Sequence, residues 1–318
     1  VDPAWPKVPP QWKLGDASSV AIDAQDNVWV LHRPRTLKPS DAAKAAPPVI
    51  VFDTAGNYVK SWGGAASGYE WPEREHGIHI DYKGFVWLGG NNCPTNGLPG
   101  LRPVADDQLL KFTQDGKFVM QIGRSNQSQG NADTRNLHRP ADVWVYPQTN
   151  ELFVADGYGN HRVAVFDADS GAFKRMWGAF GNKPADDDHC EIVTPSSFSN
   201  PGPEQLSIVH AIRVAEDGTV YVADREYRRV QMFTKDGKFE SSWFEPIFLS
   251  PATWPYRRMP ASSSFMSAAT RAFSSSTARR WRSWVTSSPP ASSGRAIKSR
   301  WIRKATSISR RPRPDCRS

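Results

Sequence analysis

"RPADVWVYPQTNELFVADGYGNHRVAVFDADSGAFKRMWG", residues Arg139–Gly178, decides the fold. It holds four short runs, "ADVWVY", "ELFVAD", "RVAVFD" and "FKRMWG", rich in alternating and β-branched apolar side chains. Gly, Asn, Asp and Ser separate them, which predicts strands joined by tight hairpins. Residues 209–244, "VHAIRVAEDGTVYVADREYRRVQMFTKDGKFESSWF", repeat the pattern run for run. Upstream the unit occurs twice more with insertions. "SSVAIDAQDNVWVLHRP" pairs with "PPVIVFDTAGNYVKSWGG", and "HGIHIDYKGFVWLGGNN" pairs with "DQLLKFTQDGKFVMQIG".

Four-stranded units of about 40 residues are propeller blades. Ser18, His76, Ala141 and His210 mark one equivalent position stepping through the four. The expected fold is therefore all-β, a β-propeller with four intact blades in residues 1–249. Four blades are too few to close a usual ring, and two are missing. An open arc exposes two blade edges, which favours aggregation.

Residues 250–318 depart from the pattern. From Pro251 onward there are 15 Lys and Arg against one acid, Asp315, whereas the first 250 residues carry 25 bases and 31 acids. The overall charge of +8 thus rests on the tail, and no nucleic-acid partner is expected from it. A shift of frame by one base explains the change. Each intended codon would then take its last two bases from the first two of the residue now read. Under that rule Arg271–Ser287 permits "PGIVVVDREALEVLGDV", and residues 296–309 permit "GHQVEVDPQGNLYI". Both are blade strands with blade turns, so residues 250–318 are read as an out-of-frame segment replacing blades five and six. The alternative is a genuine basic, disordered tail.

No run approaches the length of a membrane-spanning helix, so no membrane partner is expected. The chain starts at Val1 without an apolar leader, which suits a mature exported protein, secreted or periplasmic, or a trimmed one. Cys93 and Cys190 lie in polar loops, either paired or free.

Propellers bind ligands at one end of the channel lined by their inner strands. His76 and His210 hold the same place in blades two and four, and alternate blades of a six-blade ring stand about 120° apart. Equivalent side chains at one depth then converge on the axis. Blade six would supply the third from the codon now read as Ile297, which in the restored frame encodes Tyr, His, Asn or Asp. Three converging imidazoles form an open zinc site. His32, His79, His138, His161 and His189 lack this relation and are read as structural or exposed. Arg33 and Arg225 both follow the second strand of a blade, where paired guanidiniums can hold a carboxylate. Tyr158 follows the same strand in blade three, and near a cation it can serve as a base.

With these residues in place, the chain resembles the NHL-repeat six-bladed propellers, and most of all the peptidyl-α-hydroxyglycine α-amidating lyases. The motifs are "VLHRP", "EHGI", "RPADV", "ADGYGNHR", "VHAI" and "VADRE". The resemblance implies that His76 and His210 bind Zn2+, that Tyr158 is the base, and that Arg33 and Arg225 line the site. It implies cleavage of a peptidyl-α-hydroxyglycine at its C–N bond, giving a peptide amide and glyoxylate. As written, the third zinc ligand is missing, so impaired activity is expected. A structural calcium, Ca2+, belongs to the same pattern, but Lys298 shifts only to Gln, Lys or Glu where the family has aspartate. That leaves calcium a weaker expectation. Gly159 stands where animal members have cysteine.

The expected partner is a peptide or small-molecule substrate at the channel mouth of a monomer. The competing reading is a non-catalytic NHL propeller that binds a peptide or protein on its channel face. A gluconolactonase-type metal hydrolase ranks last, because the acids do not cluster at the inner-strand starts.

Overall fold

The computed structural model describes residues 5–95, 100–185 and 202–244. The out-of-frame reading of residues 250–318 lies outside them, as do His189, Cys190 and Cys316. Blade one is β1 (Asp16–Ile22), β2 (Val28–Arg33), β3 (Val49–Phe52) and β4 (Tyr58–Trp62). Blade two is β5 (Glu75–Ile80), β6 (Val86–Gly90), β7 (Leu109–Phe112) and β8 (Phe118–Ile122). Blade three is β9 (Asp142–Tyr146), β10 (Glu151–Asp156), β11 (Arg162–Asp167) and β12 (Phe173–Trp177). Blade four is β13 (Val209–Val214), β14 (Val220–Asp224), β15 (Arg229–Phe233) and β16 (Phe239–Phe244). Each is an antiparallel meander in chain order, as the repeat predicts, and β1 packs on β5, β5 on β9 and β9 on β13.

The apolar runs are explained by what each face meets. In β10, alternation sends Leu152 and Val154 into the layer shared with blade two, which includes Trp87 and Leu109. Phe153 and Ala155 go to the layer shared with blade four, with Ile212, Val222 and Phe233. A strand buried on both faces reads as a continuous apolar run, which is why "ELFVAD" lacks a polar stripe. The hairpins between first and second strands place Asp26, Gly84, Asn150 and Gly218 at one left-handed turn position, with φ of 62°, 84°, 54° and 86°. Small or Asx residues are selected there because a Cβ elsewhere resists positive φ.

Tryptophan and glycine lock neighbouring blades together. A Cβ on Gly116 would come within 2.7 Å of the Trp62 ring, and one on Gly237 within 2.7 Å of Trp177. The "DG" turn of one blade thus lies directly against the outer-strand indole of the blade before it.

The far face of blade one is half covered. Val8, Trp12 and Leu14 pack on Val28, Val30, Ile50 and Phe52. On the inner strand, Val20 and Ile22 pair with Val30 and Val28, yet they stay 53% and 46% exposed. Cys93 is disulfide-bonded, so its free-thiol reading falls away.

Candidate functional site

The site is hung on a knot that recurs in every blade. Three residues ahead of the Ser18/His76/Ala141/His210 position, a backbone N–H donates to a buried side chain at the end of the second strand or just ahead of the third. The pairs are Gly15 N to His32 Nδ1 at 3.1 Å and Glu73 N to Asp106 Oδ1 at 2.7 Å. In blades three and four they are His138 N to Asp156 Oδ1 and Ser207 N to Asp224 Oδ1, both 2.8 Å. The second oxygens of Asp156 and Asp224 accept from Arg162 Nε and Arg229 Nε at 2.8 Å, in ion pairs no more than 1% exposed. Buried carboxylates persist only when hydrogen-bonded and paired in this way. Arg33 follows His32 and Arg225 follows Asp224, while Tyr158 stands two residues beyond Asp156. The knots therefore aim all three at one end of the channel. His32, given a structural reading above, is fully buried and also bonds Pro47 O through Nε2 at 3.0 Å.

The phenol of Tyr158 gathers the predicted residues. His76 Nε2 lies 2.9 Å and His210 Nε2 3.1 Å from the Tyr158 hydroxyl, and Arg225 donates to it at 3.0 Å. The two imidazole centroids are 5.2 Å apart. His76 Nδ1 sits 3.0 Å from the carbonyl of Ala141. A carbonyl only accepts, so Nδ1 carries the proton and Nε2 presents its lone pair to the channel. Arg225 is braced by Glu226 Oε1 at 2.7 Å.

Arg33 takes a different post. Its Nε donates to the Glu75 carbonyl at 2.7 Å, and its charge helps depress the pKa of His76. It adjoins the cluster by charge rather than by a direct bond to Tyr158.

Two glycines make the tyrosine loop possible, and the sequence alone did not explain them. A Cβ on Gly157 would come within 2.2 Å of the Val209 backbone, and one on Gly159 within 2.3 Å of the His138 ring. Gly157→Ala is expected to destabilise the fold by about 1–3 kcal/mol, because the obstructing atoms are backbone and cannot swing aside. Thermal unfolding checks this.

Burial, then the His210 and Arg33 charges, holds His76 well below the ordinary histidine pKa. Burial, then Arg225, lowers His210 to about 3. Both are neutral at physiological pH, as ligands must be. Below pH 6.5 the unfolded chain takes up protons that these two folded imidazoles refuse. Their contribution to stability is full above pH 6.5 and is withdrawn as pH falls below it, down to about 3 for His210, at up to about 1.4 kcal/mol per histidine per unit. Glu75 and Asp107, both raised to about 7 by burial, act in the opposite sense. The histidine part is isolated by comparison. His210→Asn is expected to lose less stability than the parent between pH 6.5 and 4.5, measured by denaturant unfolding.

Of the remaining histidines, His79 stacks on Trp144 at 4.9 Å and accepts from Val145 N at 3.4 Å, a packing role. Among the described residues no group of three or more His, Cys, Asp or Glu is placed to hold a metal. The converging set consists of two imidazole nitrogens and one phenol oxygen. Neutral Nε2 atoms fixed by a carbonyl on the far side of the ring, as in His76, suit zinc.

No protein-family model matches the chain. The peptidylglycine alpha-amidating monooxygenase of Rattus norvegicus is 28% identical over 245 residues, covering 70% of this chain and 21% of the rat protein. The peptidyl-alpha-hydroxyglycine alpha-amidating lyase 2 of Drosophila melanogaster is 27% identical over 241 residues, covering 71% of this chain and 49% of the fly protein. NHL repeat-containing protein 3 of Homo sapiens is 24% identical over 250 residues, covering 76% and 59%. This chain thus spans about a fifth of the rat relative's length and about half of the fly one's. Four antiparallel blades and these relatives together make it an NHL-like propeller related to the peptidyl-α-hydroxyglycine α-amidating lyases.

Proposed function

We propose that the site is that of a zinc-dependent lyase acting on a peptidyl-α-hydroxyglycine or a related hemiaminal. The observation that carries this is the Tyr158 hydroxyl, met at once by His76, His210 and Arg225 from three different segments. His76 and His210 would hold the zinc, with the third position filled from the restored blade six. Bound there, the metal would supply Lewis acidity towards the substrate hydroxyl.

The chain's own groups account for the rest. The Tyr158 oxygen, as phenolate, takes the hydroxyl proton. Arg225 is placed to stabilise negative charge on that oxygen. As the C–O bond becomes C=O the C–N bond breaks, and the proton held by Tyr158 passes to the departing amide nitrogen. The products are a peptide amide and glyoxylate, with no oxidant consumed. Arg33 and Arg225, flanking the cluster, would hold the carboxylate that leaves as glyoxylate.

The disulfide at Cys93 supports export to an oxidising compartment. Glyoxylate release from a synthetic α-hydroxyglycine peptide by the frame-restored, zinc-loaded protein tests the reading. Binding of the peptide without glyoxylate would overturn it and favour a non-catalytic propeller.

A further inference from the structure

We propose that Arg139 is a positioning residue for Tyr158, clamping the tyrosine loop from behind so that the phenol meets both histidines. The proposal takes its interest from the lyase reading, but its contacts stand apart from it. Arg139 is 3% exposed and adopts a φ of 60°. That left-handed conformation is disfavoured for any residue bearing a Cβ, and it persists only where the surroundings impose it.

The conformation lets Arg139 grip one residue twice. Its carbonyl accepts from Tyr158 N at 3.3 Å, and its guanidinium Nη2 donates to the Tyr158 carbonyl. Blade four shows which part is general. Ile208, at the equivalent position, has a φ of 57°, and its carbonyl accepts from Arg225 N at 3.0 Å. In blades three and four the left-handed turn therefore holds the loop after the second strand. The guanidinium contact is an addition confined to blade three.

That addition answers a need. The glycines on both sides of Tyr158 contribute no side-chain packing, so main-chain contacts hold the loop at this point. Gly159 N donates to His138 O at 2.9 Å, and Asn160 Nδ2 closes the far end on Asp156 Oδ2 at 2.8 Å.

Burial lowers the Arg139 pKa, and the negative charge of nearby Asp107 opposes that shift. Asp107 is 1% exposed, and its carbonyl accepts from Leu137 N at 3.2 Å, alongside the 137–139 segment.

The test reads the histidines rather than turnover. Imidazole nitrogens labelled with 15N in the full, metal-free chain report whether the Tyr158 hydroxyl is in place. Tyr158→Phe provides the reference for its loss. In Arg139→Lys, which keeps the charge but not the fork, the His76 and His210 Nε2 resonances should move most of the way to that reference. Arg139→Gly accepts the left-handed backbone without strain and should do the same. Resonances that stay at the parent positions in either folded variant would overturn the proposal. So would loss of folding in both, since Arg139 would then serve the fold and not the loop. A frame-restored, zinc-loaded chain that releases no glyoxylate defeats the lyase reading and leaves this result standing.

Discussion

Zinc affinity is expected to rise about a hundredfold when the reading frame is restored after residue 245. We propose that residues 250–318 are a blade pair read one base out of register. Among the described residues, His76 and His210 are the imidazoles at the site. Four-ligand structural zinc sites are worth about 10–16 kcal/mol, or roughly 2.5–4 kcal/mol per ligand if shared evenly. A third histidine at 297 would therefore contribute about as much as the roughly 2.7 kcal/mol that a hundredfold requires, or somewhat more. The fold supplies a second reason to expect the blades. Val20 and Ile22 stand 53% and 46% exposed on an inner strand whose other face is packed against blade two. A sixth blade would cover them, at about 1 kcal/mol each for half a side chain. The measurement is a chelator-competition titration of the two chains side by side. Equal affinities would sink the frame argument and leave the basic tail as the gene's intended product.

How much of this could be read from the sequence varied with the distance over which each feature is decided. The strands of blade three were legible almost to the residue, because alternation and turn chemistry are local. "ELFVAD" became β10 (Glu151–Asp156) without shift. In blade four the expected first run, "AIRVAE", starts two residues later than β13, which begins at Val209. The Val209–Asp224 bridge lies across a bulge and extends the ladder past the apolar run. The His76–His210 pair was legible from repetition alone. One position in two blades fixes a shared depth, and the 5.2 Å ring separation follows.

What the sequence did not disclose is decided between blades. Gly157 and Gly159 read as loop glycines until the Val209 backbone and the His138 ring are found against them. Arg139 sits in "RPADV" like any surface arginine, yet it is 3% exposed. Its left-handed φ leaves no compositional trace, since glycine, asparagine or aspartate would be the usual signal. Arg33 was expected to line the site with Arg225. Its bond to the Glu75 carbonyl shows a residue shared between holding blade two and charging the channel mouth.

Tyr158→Phe is expected to reduce glyoxylate release by about 10²–10⁴-fold in the frame-restored, zinc-loaded protein, the usual range for a positioned proton-transfer group. The change removes one oxygen and leaves the ring. The edge-on contacts to His76 and His210, at centroid distances of 4.9 and 5.7 Å, are apolar enough to survive it. Gly157 and Gly159 keep the loop's backbone path, and Arg139 still grips residue 158 through main-chain atoms. Folding and zinc content should therefore match the parent. The loss should fall on kcat and leave KM within a few-fold, because the arginines that would hold the substrate carboxylate are untouched. A general base and a passive hydrogen-bond partner predict different solvent isotope behaviour. If Tyr158 takes the proton, the solvent isotope effect on kcat should change in the variant. If it only orients substrate, the isotope effect should stay the same at a lower rate. Full activity in the folded, zinc-loaded variant would remove Tyr158 from the chemistry. The base would then have to be sought among groups the present cluster does not contain, since His76 and His210 would be committed to the metal and the arginines remain protonated.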